Sequence, residues 1–257
     1  MCGRYIIVSD NKILTERFDA QMALKLNLAP NYNASVGQLL PVITQEQPNE
    51  ICMMEFGLTP FWAKKKMYLF NARSEGENNK ENTSNYHGGF LIINKPAFRK
   101  PIRRQRCLVL SDAFIEGSLA AGLDKPYLIY PINKKPFAMA GIYDVWQGAG
   151  QATYHSFAII TTYPNALMHK IGHHRCPVIL SPEDEKKWLS DVPLNEITPM
   201  LHSPKLTQWT AYPISSAIKN INNNDPKYLQ PQGDLLVPIT LLQQNFFIHI
   251  EGMKEKN

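Results

Sequence analysis

Apolar positions along this chain fall into short blocks, most of them five to eight residues long, separated by stretches rich in Gly, Pro, Asn and Lys. Few blocks repeat at helical spacing. Runs with β-branched and aromatic residues predict strands at 5–8, 39–44, 51–56, 107–114, 127–130, 137–146, 156–162, 178–180 and 209–213. Helical spacing appears at Ile13, Leu14 and Phe18 after a Ser9-Asp10 start, and again at 167–170 and 196–201. Ser181-Pro182 opens a further helix, with a Ser cap, Pro at the first position and Asp184 three residues after the cap. Residues 96–105 read as a helix bearing a basic stripe of Arg99, Lys100, Arg103 and Arg104, continued by Arg106. The segments 27–36, 77–89 and 220–225 read as loops, and 131–136 and 147–151 as hairpin turns. Strands spread over the whole chain with helices between them predict one mixed α+β domain, residues 1–230. Residues 231–257 form a tail whose apolar stretches 235–237 and 246–250 either pack on that domain or bind a partner.

Composition narrows the class. At 257 residues and 44% hydrophobic, the chain can bury a full core. No apolar run reaches membrane-spanning length and no signal-peptide pattern precedes the first strand, so a cytoplasmic protein is expected, nucleoid-associated if bacterial. The four cysteines, Cys2, Cys52, Cys107 and Cys176, form no CxxC pair, and free thiols are expected. His169 and His173 stand four apart, but Gly172 interrupts the helix between them and no third ligand has metal-site spacing, so no metal is expected. The net charge of +5 permits a polyanionic partner without requiring one.

The chemistry-bearing stretch is Met1-Cys2-Gly3-Arg4. Loss of Met1 would leave Cys2 with a free α-amine and a thiol on one residue. The amine can condense with an aldehyde to an imine, and the thiol can close on the imine carbon to give a thiazolidine. A basic neighbour, Arg4, would favour thiolate. Two further stretches carry candidate function. Phe61-Trp62, between Gly57 and Pro60 on one side and Lys64-Lys65-Lys66 on the other, reads either as a buried loop or as an exposed aromatic wedge for nucleic-acid bases. Asn71, Arg73 and Glu75 follow an apolar lead, where Asn71 could cap a turn and Arg73 could pair with Glu75. Three function classes remain open on these residues: an aldehyde-trapping protein, an N-terminal-nucleophile hydrolase, and a non-covalent binder of single-stranded DNA.

Taken in order, MCGRY, PNYNAS, FGLTPFW, NARSE, KPAFR, RCLVLSDAFIEG, KPY, MAGIYDVW, FAIITT, HHRCPVILSPED and YPIS resemble the SOS response-associated peptidase family, whose members crosslink to abasic sites in DNA. The resemblance runs from Cys2 to about Pro226. It implies an α+β domain with a β-barrel-like core flanked by helices and a positive groove for single-stranded DNA. It implies no cofactor, a monomer, an association with replication, autoproteolytic loss of Met1, and lyase-like activity at the lesion. By the same resemblance Cys2 forms the thiazolidine, Asn71 orients the nucleophile or the opened sugar, Glu116 shuttles protons and His173 helps open the sugar ring. Arg4, Arg73 and Arg175 hold phosphates, and Phe61 and Trp62 interrupt base stacking. The chain departs from the family pattern at Gly117-Ser118 after the glutamate, at Cys176 where Met is common, and in a longer loop at 77–90.

Overall fold

The apolar run 107–114 does not make one strand. It breaks at Asp112, whose carboxylate accepts hydrogen bonds from the backbone N–H groups of Val8 and Ser9 at 2.7 and 2.8 Å and from the Ser9 hydroxyl at 2.6 Å. A charged residue inside an apolar run is costly to bury unless its oxygens are matched, and here they are. The strand before Asp112 belongs to one sheet and the strand after it to another. That switch organises the molecule.

The computed structural model describes residues 2–24, 26–148 and 152–236. Its strands are β1 (Arg4–Ile7), β2 (Gln21–Met22), β3 (Asn31–Ser35), β4 (Leu39–Thr44), β5 (Glu50–Phe56), β6 (Asn71–Arg73), β7 (Arg106–Ser111), β8 (Ala113–Gly117), β9 (Pro126–Pro131), β10 (Phe137–Gln147), β11 (Thr153–Thr162), β12 (Cys176–Pro177) and β13 (Trp209–Pro213). β5, β4, β7, β10 and β11 pair in that order, and β11 returns to β5 through the parallel pairs Ser156–Glu55 and Phe157–Phe56. This closes a five-stranded barrel, which leaves no free edge among its strands. The fold is the α+β domain with a barrel core expected from the sequence. β7 is buried along its whole length, as its unbroken apolar run requires. The second sheet runs β13-β9-β8-β1-β3 and packs Ile6, Ile115, Leu128 and Tyr212 into a smaller core of its own.

Several elements differ from the sequence reading. β3 lies in a stretch read as loop; its Asn and Ser residues are poor strand formers, but pairing with β1 at Arg4–Ser35 and Tyr5–Ala34 overrides propensity. Residues 178–180 form no strand of their own and keep one bridge, Met139 to Ile179. The helix expected at 96–105 shortens to Pro101–Arg104. Its basic stripe is dispersed. Arg106 is fully buried and donates to the carbonyls of Ile102, Arg103, Trp188 and Ser190, so that one cation serves the C-terminal ends of two helices. Arg104 pairs with Asp191. Ser181 caps the helix Pro182–Leu189 as expected, accepting from the Asp184 N–H at 3.2 Å. Gln232 and Leu236 run beside β13, donating to the carbonyls of Pro213 and Ala211. The 246–250 stretch and most of the 147–151 turn lie outside the described residues. No helix among the described residues is long and apolar enough to cross a membrane.

Candidate active site

Cys2 precedes β1, and β1 runs antiparallel to β8 with Tyr5 opposite Phe114 and Ile6 opposite Ala113. Each step back along β1 is a step forward along β8, so this register carries the N-terminal residues toward Glu116. Cys2 is 2% exposed and Glu116 4% exposed. The Glu116 carboxylate lies beside the Cys2 thiol. Burial, and then this carboxylate, push the thiol well above its ordinary pKa. The group in the pocket is therefore a thiol. Arg4 does not reverse this: its guanidinium donates to Asn33 Oδ1 at 2.9 Å and to the Lys219 carbonyl at 3.2 Å.

Asn71 enters from β6, which lies parallel to β11 with Asn71 opposite Ile159. Its Nδ2 donates to the Cys2 carbonyl at 2.8 Å and to the Phe70 carbonyl at 2.9 Å. Two carbonyl partners fix which end of the carboxamide is nitrogen. Oδ1 then points the other way, buried and, among the described residues, without a hydrogen-bond partner.

His173 arrives by a helix C-cap. The helix Ala166–Ile171 ends at Gly172, whose φ of +77° is a left-handed conformation that glycine adopts freely. The turn places His173 Nδ1 2.7 Å from the Gly117 carbonyl. A carbonyl only accepts, so Nδ1 carries a hydrogen. Nε2 therefore faces Glu116 Oε2, at 3.4 Å. A proton on Nε2 makes this a charge-assisted contact to the carboxylate, and a proton on Glu116 instead makes it a neutral one with Nε2 as acceptor. Gly117 is required here, because a Cβ on it would stand 1.7 Å from the Gly122 carbonyl oxygen. Burial lowers the His173 pKa while the Glu116 carboxylate works against that shift. His174 lies against His173 with ring centroids 5.0 Å apart and the planes tilted by 43°, and burial and its neighbour lower it to about 4.

Arg175 is 2% exposed and makes a two-pronged ion pair with Glu75, with Nη2 to Oε2 at 3.0 Å. Burial alone would raise the Glu75 carboxyl, but the guanidinium holds it below its ordinary range. Glu75 thus pairs with Arg175 rather than with Arg73, and Arg175 lies beneath the surface instead of lining an open groove. Arg73 is half-buried and donates to the Asn79 carbonyl. Cys176, on β12, is buried and receives a weak contact from Asn165 Nδ2 at 3.5 Å. The cysteines at 2, 52, 107 and 176 are free.

Phe61 and Trp62 stand apart from this pocket, 52% and 49% exposed. Their loop interrupts a ladder. β5 leaves β11 at Phe56–Phe157 and β6 rejoins it at Asn71–Ile159, two residues along, or about 7 Å of strand. The neck is closed by reciprocal backbone bonds between Leu58 and Leu69 at 3.1 and 3.0 Å, and Thr59 Oγ1 bridges to Met67. Lys100 lies 4.6 Å over the Phe61 ring, and the Phe61 N–H donates to Asp144 at 2.9 Å. The exposed reading of this loop is the one the structure gives, and its two ends sit next to Asn71.

Two residues with structural weight at the site, Asn33 and His174, were not singled out from the sequence. Asn33 orients Arg4 and donates to the carbonyls of Ile218 and Asn220, docking the 216–224 segment; it was hidden in an Asn-rich stretch. His174 was adjacent to a named residue and Glu75 was named as a possible partner of Arg73, but only the fold shows which partners they meet.

The family described as SOS response associated peptidase (SRAP) matches residues 1–221. The chain is 31% identical to the abasic site processing protein YoqW of Bacillus subtilis (strain 168), covering 90% of this chain and 99% of that one. It is 29% identical to mouse abasic site processing protein HMCES, covering 92% of this chain and 77% of the relative. A crystal structure of a protein from Bacteroides thetaiotaomicron superposes with a TM-score of 0.76 at 28% identity, over 90% of this chain and 99% of that one. A Bordetella bronchiseptica protein at 18% identity shares the fold, with a TM-score of 0.66.

Proposed function

Because the chain belongs to the SOS response-associated peptidase family, we propose that it processes abasic sites in single-stranded DNA by forming a thiazolidine through Cys2. The observation that carries this is the gathering of three side chains at one residue: Asn71 on the Cys2 carbonyl at 2.8 Å, Glu116 beside its thiol, and His173 3.4 Å behind Glu116.

While Met1 is attached, the Cys2 nitrogen is an amide and cannot condense. Its removal, by this pocket or by an aminopeptidase, frees the amine. The unpartnered Asn71 Oδ1 is an acceptor suited to an amine N–H. The abasic deoxyribose hides its aldehyde in a closed ring, and His173, linked to Glu116, supplies the acid–base assistance for opening it. The amine then adds to the aldehyde carbon and water departs, leaving an imine. The thiol gives its proton to Glu116 as sulfur bonds to the imine carbon, and the nitrogen takes up a proton. The sum is aminothiol plus aldehyde giving thiazolidine plus one water. The reverse sequence, with Glu116 returning the proton to sulfur, releases the strand. A thiol held protonated by burial needs such a base, so Glu116 is assigned the thiol proton in both directions.

Phe61 and Trp62 offer stacking faces beside the pocket, and Arg4 and Arg73 offer charge for the strand backbone. Intact mass spectrometry tests the reading. A protein lacking Met1 that gains the mass of an abasic oligonucleotide minus one water supports it. Unchanged mass after incubation with the abasic strand refutes it.

A further inference from the structure

The two pocket arginines donate to a single turn. Arg73 Nη2 donates to the Asn79 carbonyl, and Arg175 Nη1 donates to the Asn82 side-chain oxygen at 3.1 Å. The turn is tied to itself: the Asn82 N–H donates to the Asn79 carbonyl at 3.1 Å, and the buried Asn79 side chain accepts from the Thr83 N–H at 2.8 Å and donates to the Thr83 carbonyl at 3.1 Å. Asn82 has φ +54°, a left-handed conformation that Asn tolerates better than most residues. Its neighbours Lys80, Glu81, Thr83, Ser84 and Asn85 are exposed. The side chain is thus delivered to Arg175 from the solvent side by a knotted surface turn.

The acceptors on Arg175 differ in kind. Glu75 is a buried carboxylate with no exposure, and its two oxygens hold the guanidinium fork. Asn82 contributes a neutral amide oxygen. A phosphate oxygen carries charge, and charge-assisted hydrogen bonds are about twice as strong as neutral ones. Resting on the reading that a strand enters this pocket, we infer that Asn82 is a specificity-determining residue: its carboxamide occupies the Arg175 N–H that a strand phosphate would take. A strand must displace the turn to gain this second arginine. Contact with the backbone alone is thereby weakened, and lesion-bearing strands are retained by the bond to Cys2.

The sign of the effect separates this role from simple support of Arg175. Asn82→Gly removes the carboxamide and accepts the left-handed backbone. It should bind a fluorescent, undamaged single-stranded oligonucleotide about two- to tenfold more tightly, the worth of one neutral hydrogen bond. Asn82→Asp, which also tolerates that backbone, sets a charged competitor on Arg175 and should weaken binding about tenfold or more. Fluorescence anisotropy measures both, with thermal unfolding confirming that each variant is folded. Weaker or unchanged binding by Asn82→Gly, or unchanged binding by Asn82→Asp, overturns the inference. Crosslinking of an abasic strand by the wild-type protein is measured alongside. If it is absent, the proposed function fails; if it is present and Asn82→Gly binds no tighter, only the role of Asn82 fails.

Discussion

The Cys2 pocket and the Phe61-Trp62 loop lie side by side along β11 and are built in opposite ways. The pocket is dry. Cys2, Glu116 and His173 are each at most 6% exposed, and each is fixed by strand register, a helix cap or a hydrogen bond to backbone. The loop holds its two largest side chains about half in solvent, tethered at its neck and by the Phe61 N–H on Asp144. Chemistry on a buried thiol needs proton transfer at set distances, which rigid elements supply. Gripping a flexible strand needs exposed faces and charge, which a tethered loop supplies. If this division holds, variants on the two sides should fail in different ways.

The largest effect is expected at the nucleophile. Cys2→Ala should form no adduct stable to heat and detergent on a denaturing gel, while binding single-stranded DNA nearly as wild type does. Next comes proton transfer. Glu116→Gln should slow both adduct formation and transfer of a preformed adduct to a competing strand, within the roughly 10²–10⁴-fold range of acid–base assistance. His173→Ala should slow mainly formation. A Glu116→Gln protein that forms its adduct slowly but releases it at the wild-type rate contradicts the shuttle.

Arg175 sharpens the comparison, because the buried Glu75 carboxylate depends on it for a partner. Arg175→Ala leaves the Glu75 carboxylate buried and unmatched, and about 3–5 kcal/mol of stability should be lost in urea unfolding. A variant as stable as wild type would show that the Glu75 carboxylate does not need Arg175 as its partner. On the loop, Trp62→Ala should cost about 1–3 kcal/mol of strand binding, seen as a weaker Kd with an unchanged melting temperature.

The smallest effect is pH dependence. Burial lowers both His173 and His174, the latter to about 4, below an unfolded value of about 6.5. The unfolded chain therefore binds more protons across that interval. Stability from burying these neutral rings is complete above about pH 6.5 and declines as pH falls toward the folded values. His174→Asn should flatten the acid side of the melting-temperature profile; an unchanged profile would show that half-buried His174 is not held neutral by the fold.

Much of this was legible in the sequence. β13 was bounded correctly at 209–213, and the Ser181 cap gave the start of its helix, since both rest on local pattern. β3 was missed because its residues favour turns and only the β1 partner makes it a strand. The break at Asp112 needs Ser9, about a hundred residues away, to satisfy the carboxylate. The site residues could be named from ordered motifs, but not their pairing. Arg73 and Glu75 are neighbours in sequence, yet they project to different partners, and Glu75 meets Arg175 across β6, β11 and β12. The basic residues at 99–106 looked like a surface stripe because charge is usually solvated, while Arg106 is used inside to hold four carbonyls.

The most direct test of the division between pocket and loop is single-turnover crosslinking measured against the concentration of abasic oligonucleotide. Glu116→Gln should lower the maximal rate and leave the half-saturating concentration near the wild-type value. Trp62→Ala should raise the half-saturating concentration and leave the maximal rate near wild type. The reverse pattern, with Glu116→Gln changing only the concentration dependence and Trp62→Ala only the maximal rate, would contradict the account.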